Sequence, residues 1–296
     1  MSVSPRLAPF SLLLAASIWG LVWYPFRLLE AAGLSGSLAS LLTYGLGIPP
    51  LLFWARLGGW RAPSGQWGWL LTLALSAGWT NVAYVLAVID GQVMRVMLLF
   101  YLAPLWTVLF ARLLLGERAG PWGWAIIALA LAGAYVMLGW PREAGWQWPL
   151  PANHAEWLGL SAGVAFALTN VSSRGGRQIP IQTRSLWTFI GVGAVALACM
   201  GMEGRPVAAM AYLDVANWGI VVGVSLVLLL ATFAIQHGLA WTAANRAIVI
   251  MLFELVVAAL SSQWLAGEHM DAPEWIGGGM IVAATLFSMK LKLRHA

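Results

Sequence analysis

Ten long apolar runs divide this chain, and they constrain its fold more than any motif does. They lie near residues 9–29, 37–55, 67–89, 93–115, 121–140, 157–173, 183–202, 216–238, 244–265 and 273–290. A helix needs about 20 apolar residues to cross the hydrocarbon core of a bilayer. The runs are continuous rather than alternating, which predicts helices and not a β-barrel, because each spanning segment must satisfy its own backbone polar groups. Turn-forming stretches separate them: Gly58-Gly59-Trp60-Arg61-Ala62-Pro63, Gly116-Glu117-Arg118-Ala119-Gly120-Pro121, and Pro141 to Pro151. Pro121 and Pro273 suit the first turn of the helix that follows each. The expected class is an all-α polytopic membrane protein with ten transmembrane helices and short loops.

Composition excludes the competing classes. Of 296 residues, 61% are hydrophobic and only 9% are charged, against roughly 25% charged in an ordinary soluble domain. A soluble fold of this size needs a charged coat that the chain does not have. The net charge of +5 comes from basic residues spread singly between apolar blocks. A nucleic-acid binder would cluster them on one face, so no nucleic-acid partner is expected. The single cysteine, Cys199, sits in an apolar run and reads as a buried small residue. The first run is too long for the apolar region of a secretory signal and is read as the first span.

Ten spans put both termini on one side. Sorting charges by alternate loops then places Arg6, Arg56, Arg61, Arg112, Arg118, Arg174, Arg177, Arg184, Arg246, Lys290, Lys292 and Arg294 with the termini. Arg27, Arg95, Arg142 and Arg205 fall on the other side, together with Glu30, Asp90, Glu143, Glu156, Glu203, Asp214, Glu268, Asp271 and Glu274. The excess of basic residues marks the cytoplasmic side, so both termini are expected in the cytoplasm. Nine or eleven spans would scramble the separation.

The chain also repeats itself. A shift of 151 residues aligns Gly116-Glu117 with Gly267-Glu268, Trp124 with Trp275 and Arg95 with Arg246. A shift near 147 pairs Arg27 with Arg174. The expected units are residues 1–150 and 151–296, each with five spans. Five is odd, so the second half enters the membrane inverted. Inverted repeats are an architecture of secondary transporters, with the substrate near the midplane between the halves.

At this point the chain resembles the drug/metabolite transporter superfamily, EamA type. The residues that carry the likeness are Trp19-Gly20, Pro104, Gly116-Glu117, Glu254 and Gly267-Glu268. The segment from Tyr101 to Ala111 is similar to the fourth helix of the YddG-type aromatic amino acid exporters. There is one departure: Leu255 follows Glu254, where many members carry proline. The resemblance implies ten helices in two five-helix halves, a multi-pass place in the bacterial inner membrane, and small-molecule transport.

Polar groups deep in a span usually face the bundle interior. Glu254 lies about ten residues into the ninth run, near the expected midplane. It is read either as a proton-coupling or cation-pairing group, or as a structural carboxyl bonded to a neighbouring helix. An aromatic zwitterion needs an apolar aromatic slot with a few donors and acceptors. Trp19, Tyr24, Trp79, Asn81, Tyr84, Tyr101, Trp106, Asn170 and Gln236 are the candidates to supply it, and each aromatic among them has packing or lipid contact as its bland alternative. Pro104 interrupts the fourth run and is read as a hinge or as a static kink. Arg95 and Arg246 read as interfacial anchors that snorkel, with a gate salt bridge as the alternative. Glu117 and Glu268 each follow a helix-ending glycine and read as loop caps. The repeats Gly159-x-x-x-Gly163 and Gly219-x-x-x-Gly223 and the run Gly277-Gly278-Gly279 suggest close helix approaches.

No phosphate-binding loop, clustered histidines or nucleophile motif is present in the sequence, so no cofactor or metal is expected. The leading expectation is an amino acid exporter, chiefly for aromatic ones. A lipophilic-cation exporter that uses Glu254 is the first alternative. A membrane-embedded enzyme or assembly subunit is the second.

Overall fold

The computed structural model describes residues 7–58, 64–118, 120–139, 150–203, 210, 213–241, 250–288 and 294–295. Among them the helices are α1 (Ala8–Leu21), α2 (Trp23–Ala31), α3 (Gly36–Gly58), α4 (Trp67–Asp90), α5 (Val93–Phe100), α6 (Ala103–Leu115), α7 (Pro121–Gly139), α8 (His154–Gly175), α9 (Ile181–Glu203), α10 (Val215–Trp241), α11 (Phe253–Ala266) and α12 (Ala272–Ser288). A two-residue antiparallel pairing joins β1 (Glu117–Arg118) to β2 (Arg294–His295). Each of the ten apolar runs is helical where it is described, apart from turns at Val22, Tyr101, Leu102 and Leu252. The start of the ninth run, with Arg246, lies outside the described residues, as does the side chain of Glu117.

Among the described residues, six stretches are long and apolar enough to cross a membrane: Ala8–Ala31, Gly36–Leu57, Trp67–Asp90, Val93–Leu115, Ile181–Glu203 and Val215–Ile235. Pro121–Met137 and Phe253–Ala266 are shorter apolar helices. α8 carries Glu156 and Arg174, which lowers its hydropathy.

Proline breaks two of the spans. A proline lacks an N–H and its ring crowds the carbonyl four residues earlier. Pro25 therefore ends α1 at Leu21, and Pro104 ends α5 at Phe100. In each case a second helix restarts at once. Pro104 sits in the first turn of α6, where its missing N–H costs nothing.

Helices from before residue 151 pack mainly on helices after it. α4 lies against α8 and α9, α3 against α9, α1 against α10 and α11, and α7 against α12. Glycine sets the closest crossings, since a backbone without Cβ lets another backbone touch it. Gly78 meets the backbone of Gly191, and Gly191 that of Ala74. Gly133 and Gly277 face each other's carbonyls. Gly159 and Gly163 rest on Val96 and Phe100, as their spacing suggested, with the Cβ position of Gly163 only 2.5 Å from the Phe100 carbonyl. Gly219, Gly223 and Gly279 differ: open space surrounds each, so the same small-residue spacing makes no crossing there. The helix-ending glycines behave as read, because Gly116 and Gly267 are both left-handed (φ +68° and +65°) and terminate α6 and α11.

Candidate functional site

The break in the fourth span meets the ninth. Tyr101 occupies the turn between α5 and α6, and its Oη donates to Glu254 Oε2 at 3.1 Å. Glu254 lies in the first turn of α11. Leu252, just before α11, is itself a turn residue, with Leu255 N bonding back to the Leu252 carbonyl at 3.1 Å. The ninth span is thus interrupted without a proline, at the repeat position of Tyr101. Gly20 of α1 lies against the Glu254 carbonyl, where any Cβ would stand 2.7 Å from that oxygen. The Trp19-Gly20 pair therefore has a physical role: it lets α1 seat on the carboxylate-bearing turn.

Aromatic rings surround this carboxylate. Tyr84 of α4 is only 6% exposed, and its hydroxyl has no partner among the described residues. Phe100 connects the rings, lying 5.9 Å from Tyr84, 5.8 Å from Tyr101 and 5.1 Å from Phe166 of α8. Asn170 is exposed one turn beyond Phe166, on the side of α8 whose Gly163 abuts Phe100. Trp19 and Tyr24 are half-buried against the same core. The neighbour Trp23 is fully buried; its Nε1 donates to Ser261 Oγ at 3.0 Å, and Ser261 Oγ donates to the Gly20 carbonyl at 3.2 Å. Trp106 is half-buried, with its Nε1 unbonded among the described residues.

Two candidates, Asn81 and Trp79, stand apart from this cluster. Asn81 is engaged between α3 and α4, accepting from Tyr44 Oη at 2.6 Å and donating to the Ala77 carbonyl at 2.7 Å. Trp79 faces an open groove between α4 and α8, where its Nε1 donates to Ser161 Oγ at 3.1 Å. The side chain of Gln236 lies outside the described residues. Sequence reasoning passed over Phe100 and Phe166, because an isolated phenylalanine in a span looks like any packing residue.

A second constellation lies at the end where α5, α8 and α12 begin. Arg95 is 6% exposed, not snorkelling as an interfacial anchor would. Its Nε donates to Glu156 Oε1 at 2.8 Å and its Nη1 to Glu274 Oε1 at 2.7 Å. The other oxygen of each carboxylate takes a backbone N–H at its own helix start: Ala152 N to Glu156 Oε2 at 2.9 Å, and Asp271 N to Glu274 Oε2 at 3.0 Å. Both carboxylates sit at capping-box spacing, Asn153-x-x-Glu156 and Asp271-x-x-Glu274, and Asn153 Oδ1 accepts from Glu156 N at 2.9 Å. Beside them Arg27 Nη2 donates to Glu268 Oε1 at 2.9 Å and to the Gly91 carbonyl at 2.6 Å. Arg27 Nε reaches the Val88 carbonyl at 2.7 Å, and Val93 N donates to Glu268 Oε2 at 2.8 Å. Glu268 is thus a cap, as its place after Gly267 suggested, but it caps α5 across the molecule.

The profile of the EamA-like transporter family matches residues 6–139 and again residues 154–290. The chain belongs to the EamA-like transporter family. An "Uncharacterized transporter" of Archaeoglobus fulgidus is 26% identical over 223 residues, covering 75% of this chain and 76% of the relative. A "Riboflavin transporter" of Rhizobium johnstonii is 27% identical over 247 residues, covering 79% and 69%. An "Uncharacterized transporter" of Pseudomonas aeruginosa is 34% identical over 128 residues, covering 41% and 42%. A solved crystal structure shares the fold with a TM-score of 0.60 at 19% identity, over 96% of each chain. This EamA-family chain is a multi-pass membrane transporter. In that setting the Tyr101–Glu254 bond is a polar contact between helices of the two family matches inside the spans.

Proposed function

We propose that this EamA-family protein is a secondary transporter that exports aromatic amino acids and related amphipathic metabolites across the bacterial inner membrane. The halves 1–150 and 151–296 act as inverted five-helix repeats, with both termini cytoplasmic, and rock around a midplane cavity. The observation that carries this reading is the meeting of Tyr101 from one half with Glu254 from the other, at matching interruptions of their spans. Phe100, Phe166 and Tyr84 add aromatic surface beside that meeting, and Tyr84 brings a hydroxyl with no partner among the described residues. A carboxylate with phenols suits a substrate ammonium, and the rings suit an aromatic side chain. The twofold match of the family profile supports the repeat. Pro104 restarts the fourth span next to Tyr101 and is the hinge in this mechanism.

The test is uptake into proteoliposomes of radiolabelled phenylalanine, tryptophan, threonine and methyl viologen. Phenylalanine and tryptophan are expected to move fastest. If they move no faster than in empty vesicles, the substrate reading is wrong, and fastest movement of methyl viologen would favour the lipophilic-cation exporter. Glu254→Gln is expected to lower transport at least tenfold, about 1.4 kcal/mol or more of lost transition-state stabilisation. Unchanged transport with and without a pH gradient would remove Glu254 from the mechanism. The relative named as a riboflavin transporter favours a second reading, a planar heteroaromatic substrate, and labelled riboflavin belongs in the same assay.

A further inference from the structure

In the sequence, the two carboxylates that hold Arg95 are not repeated at the matching positions of the other half. The shifts that pair Arg27 with Arg174 and Arg95 with Arg246 set Pro9 opposite Glu156 and Gly123 opposite Glu274. Neither residue can accept from a guanidinium side chain to side chain. The carboxylates that hold Arg95 therefore belong to one end only.

Both ion clusters join the two halves. Arg95 lies before residue 151, and Glu156 and Glu274 lie after it. Arg27 and Glu268 divide the same way. Any rocking that opens this end has to separate these groups or carry them past one another.

The choice of ions over apolar residues matters for such a motion. A buried ion pair regains hydration when it parts, which offsets much of the attraction that it loses. An apolar seal of the same shape exposes hydrocarbon to water when it parts, with nothing to offset that. An ionic seal is thus tight when closed yet inexpensive to open. The capping boxes hold both carboxylates in place, so the seal re-forms in one geometry.

We propose that Arg95, Glu156 and Glu274, flanked by Arg27 and Glu268, form a reversible ionic latch. It closes the end of the transporter where α5, α8 and α12 begin. The proposal rests on the alternating-access reading above but not on the identity of the substrate. Arg95, Glu156 and Glu274 are positioning residues and need not touch the cargo.

The experiment uses the full chain in proteoliposomes. Cys199→Ser removes the single thiol, and Met97→Cys places a reporter on α5 between the latch and Tyr101, where Met97 is fully buried. A membrane-impermeant maleimide is added on the side that bears the latch, and the labelling rate is read. Glu156→Gln with Glu274→Gln keeps both capping boxes, because glutamine can also accept the backbone N–H, and leaves Arg95 without counter-charge. That variant is expected to label at least tenfold faster than the parent. Adding Arg95→Met to the two glutamines makes the seal neutral, and labelling is expected to drop at least threefold below the parent. A purely structural cluster would not give opposite signs from two variants that share two substitutions. If both variants label faster, or neither moves while the parent labels measurably, the latch is refuted and alternating access stands. If the parent and both variants never label, this end does not open, and the alternating-access reading falls with the latch.

Discussion

Four glutamates divide this molecule into two regions. At one end Glu156, Glu268 and Glu274 each accept from a guanidinium and from a backbone N–H. Inside the spans Glu254 accepts from one phenol, at 3.1 Å, among the described residues. A carboxylate with both oxygens engaged is fixed in place and in charge. One held by a single neutral donor keeps acceptor capacity for something that is not part of the protein. The comparison separates glutamates that hold the fold from the one that is available to a substrate.

The largest stability effect is expected where a fixed carboxylate is removed. Glu268→Ala leaves Arg27 and the Val93 N–H without their acceptor in a mostly buried place, with side-chain exposures of 24% for Arg27 and 14% for Glu268. Leaving one partner of a buried pair costs about 3 kcal/mol, read as a lower Tm for the detergent-solubilised protein. Glu268→Gln restores the cap and is expected to fall between. Glu254→Gln, by contrast, is expected to change stability by less than about 1 kcal/mol while it impairs transport. A Tm loss for Glu254→Gln as large as that for Glu268→Ala would erase the distinction between the two regions.

A smaller effect tests the packing that brings these regions together. Gly163→Ala pushes a Cβ against the Phe100 carbonyl and is expected to destabilise by about 2 kcal/mol. Gly223→Ala enters open space and is expected to be neutral, or to gain up to about 1 kcal/mol from better helix propensity. The thermal unfolding curves of the two variants check this. Equal losses would mean that spacing alone, and not contact, decides what a glycine does here.

That pair of glycines also shows what could be read from the chain. Composition and run length reached the helical membrane class and the helix positions, because hydrocarbon leaves a chain few options. Pro25 and Pro104 announce the breaks after Leu21 and Phe100, since proline acts on the residue four before it. The break at Leu252 has no such mark. There the α1 backbone rests on the Glu254 carbonyl through Gly20, a contact between residues far apart in sequence. Arg95 was read as an anchor for the same reason: its partners lie 61 and 179 residues away. The Asn153-x-x-Glu156 and Asp271-x-x-Glu274 spacings went unread in the sequence, and nothing local says that one guanidinium bridges them.

The smallest effect is expected at Trp79, and it bounds the site from outside. Trp79 is 37% exposed and lines an open groove of about 600 Å3 with Leu71, Leu75, Val164 and Leu168. The lining is almost wholly apolar, and the polar contact of the indole is already satisfied by Ser161, which itself donates to the Leu158 carbonyl at 2.8 Å. Tyr84 is the opposite case: buried, with a hydroxyl that has no partner among the described residues. An aromatic ring whose polar atom is satisfied and whose face meets an apolar groove behaves as packing. Trp79→Phe removes one neutral hydrogen bond, worth about 1 kcal/mol of stability, and is expected to change transport less than twofold. Tyr84→Phe removes a donor from the cluster and is expected to lower transport more than Trp79→Phe does, at similar stability. If Trp79→Phe instead abolishes transport while the protein stays folded, the groove between α4 and α8 belongs to the substrate path. The functional region would then extend outward from Glu254 through Ser76 and Thr169, whose hydroxyls bond across the same two helices at 2.8 Å.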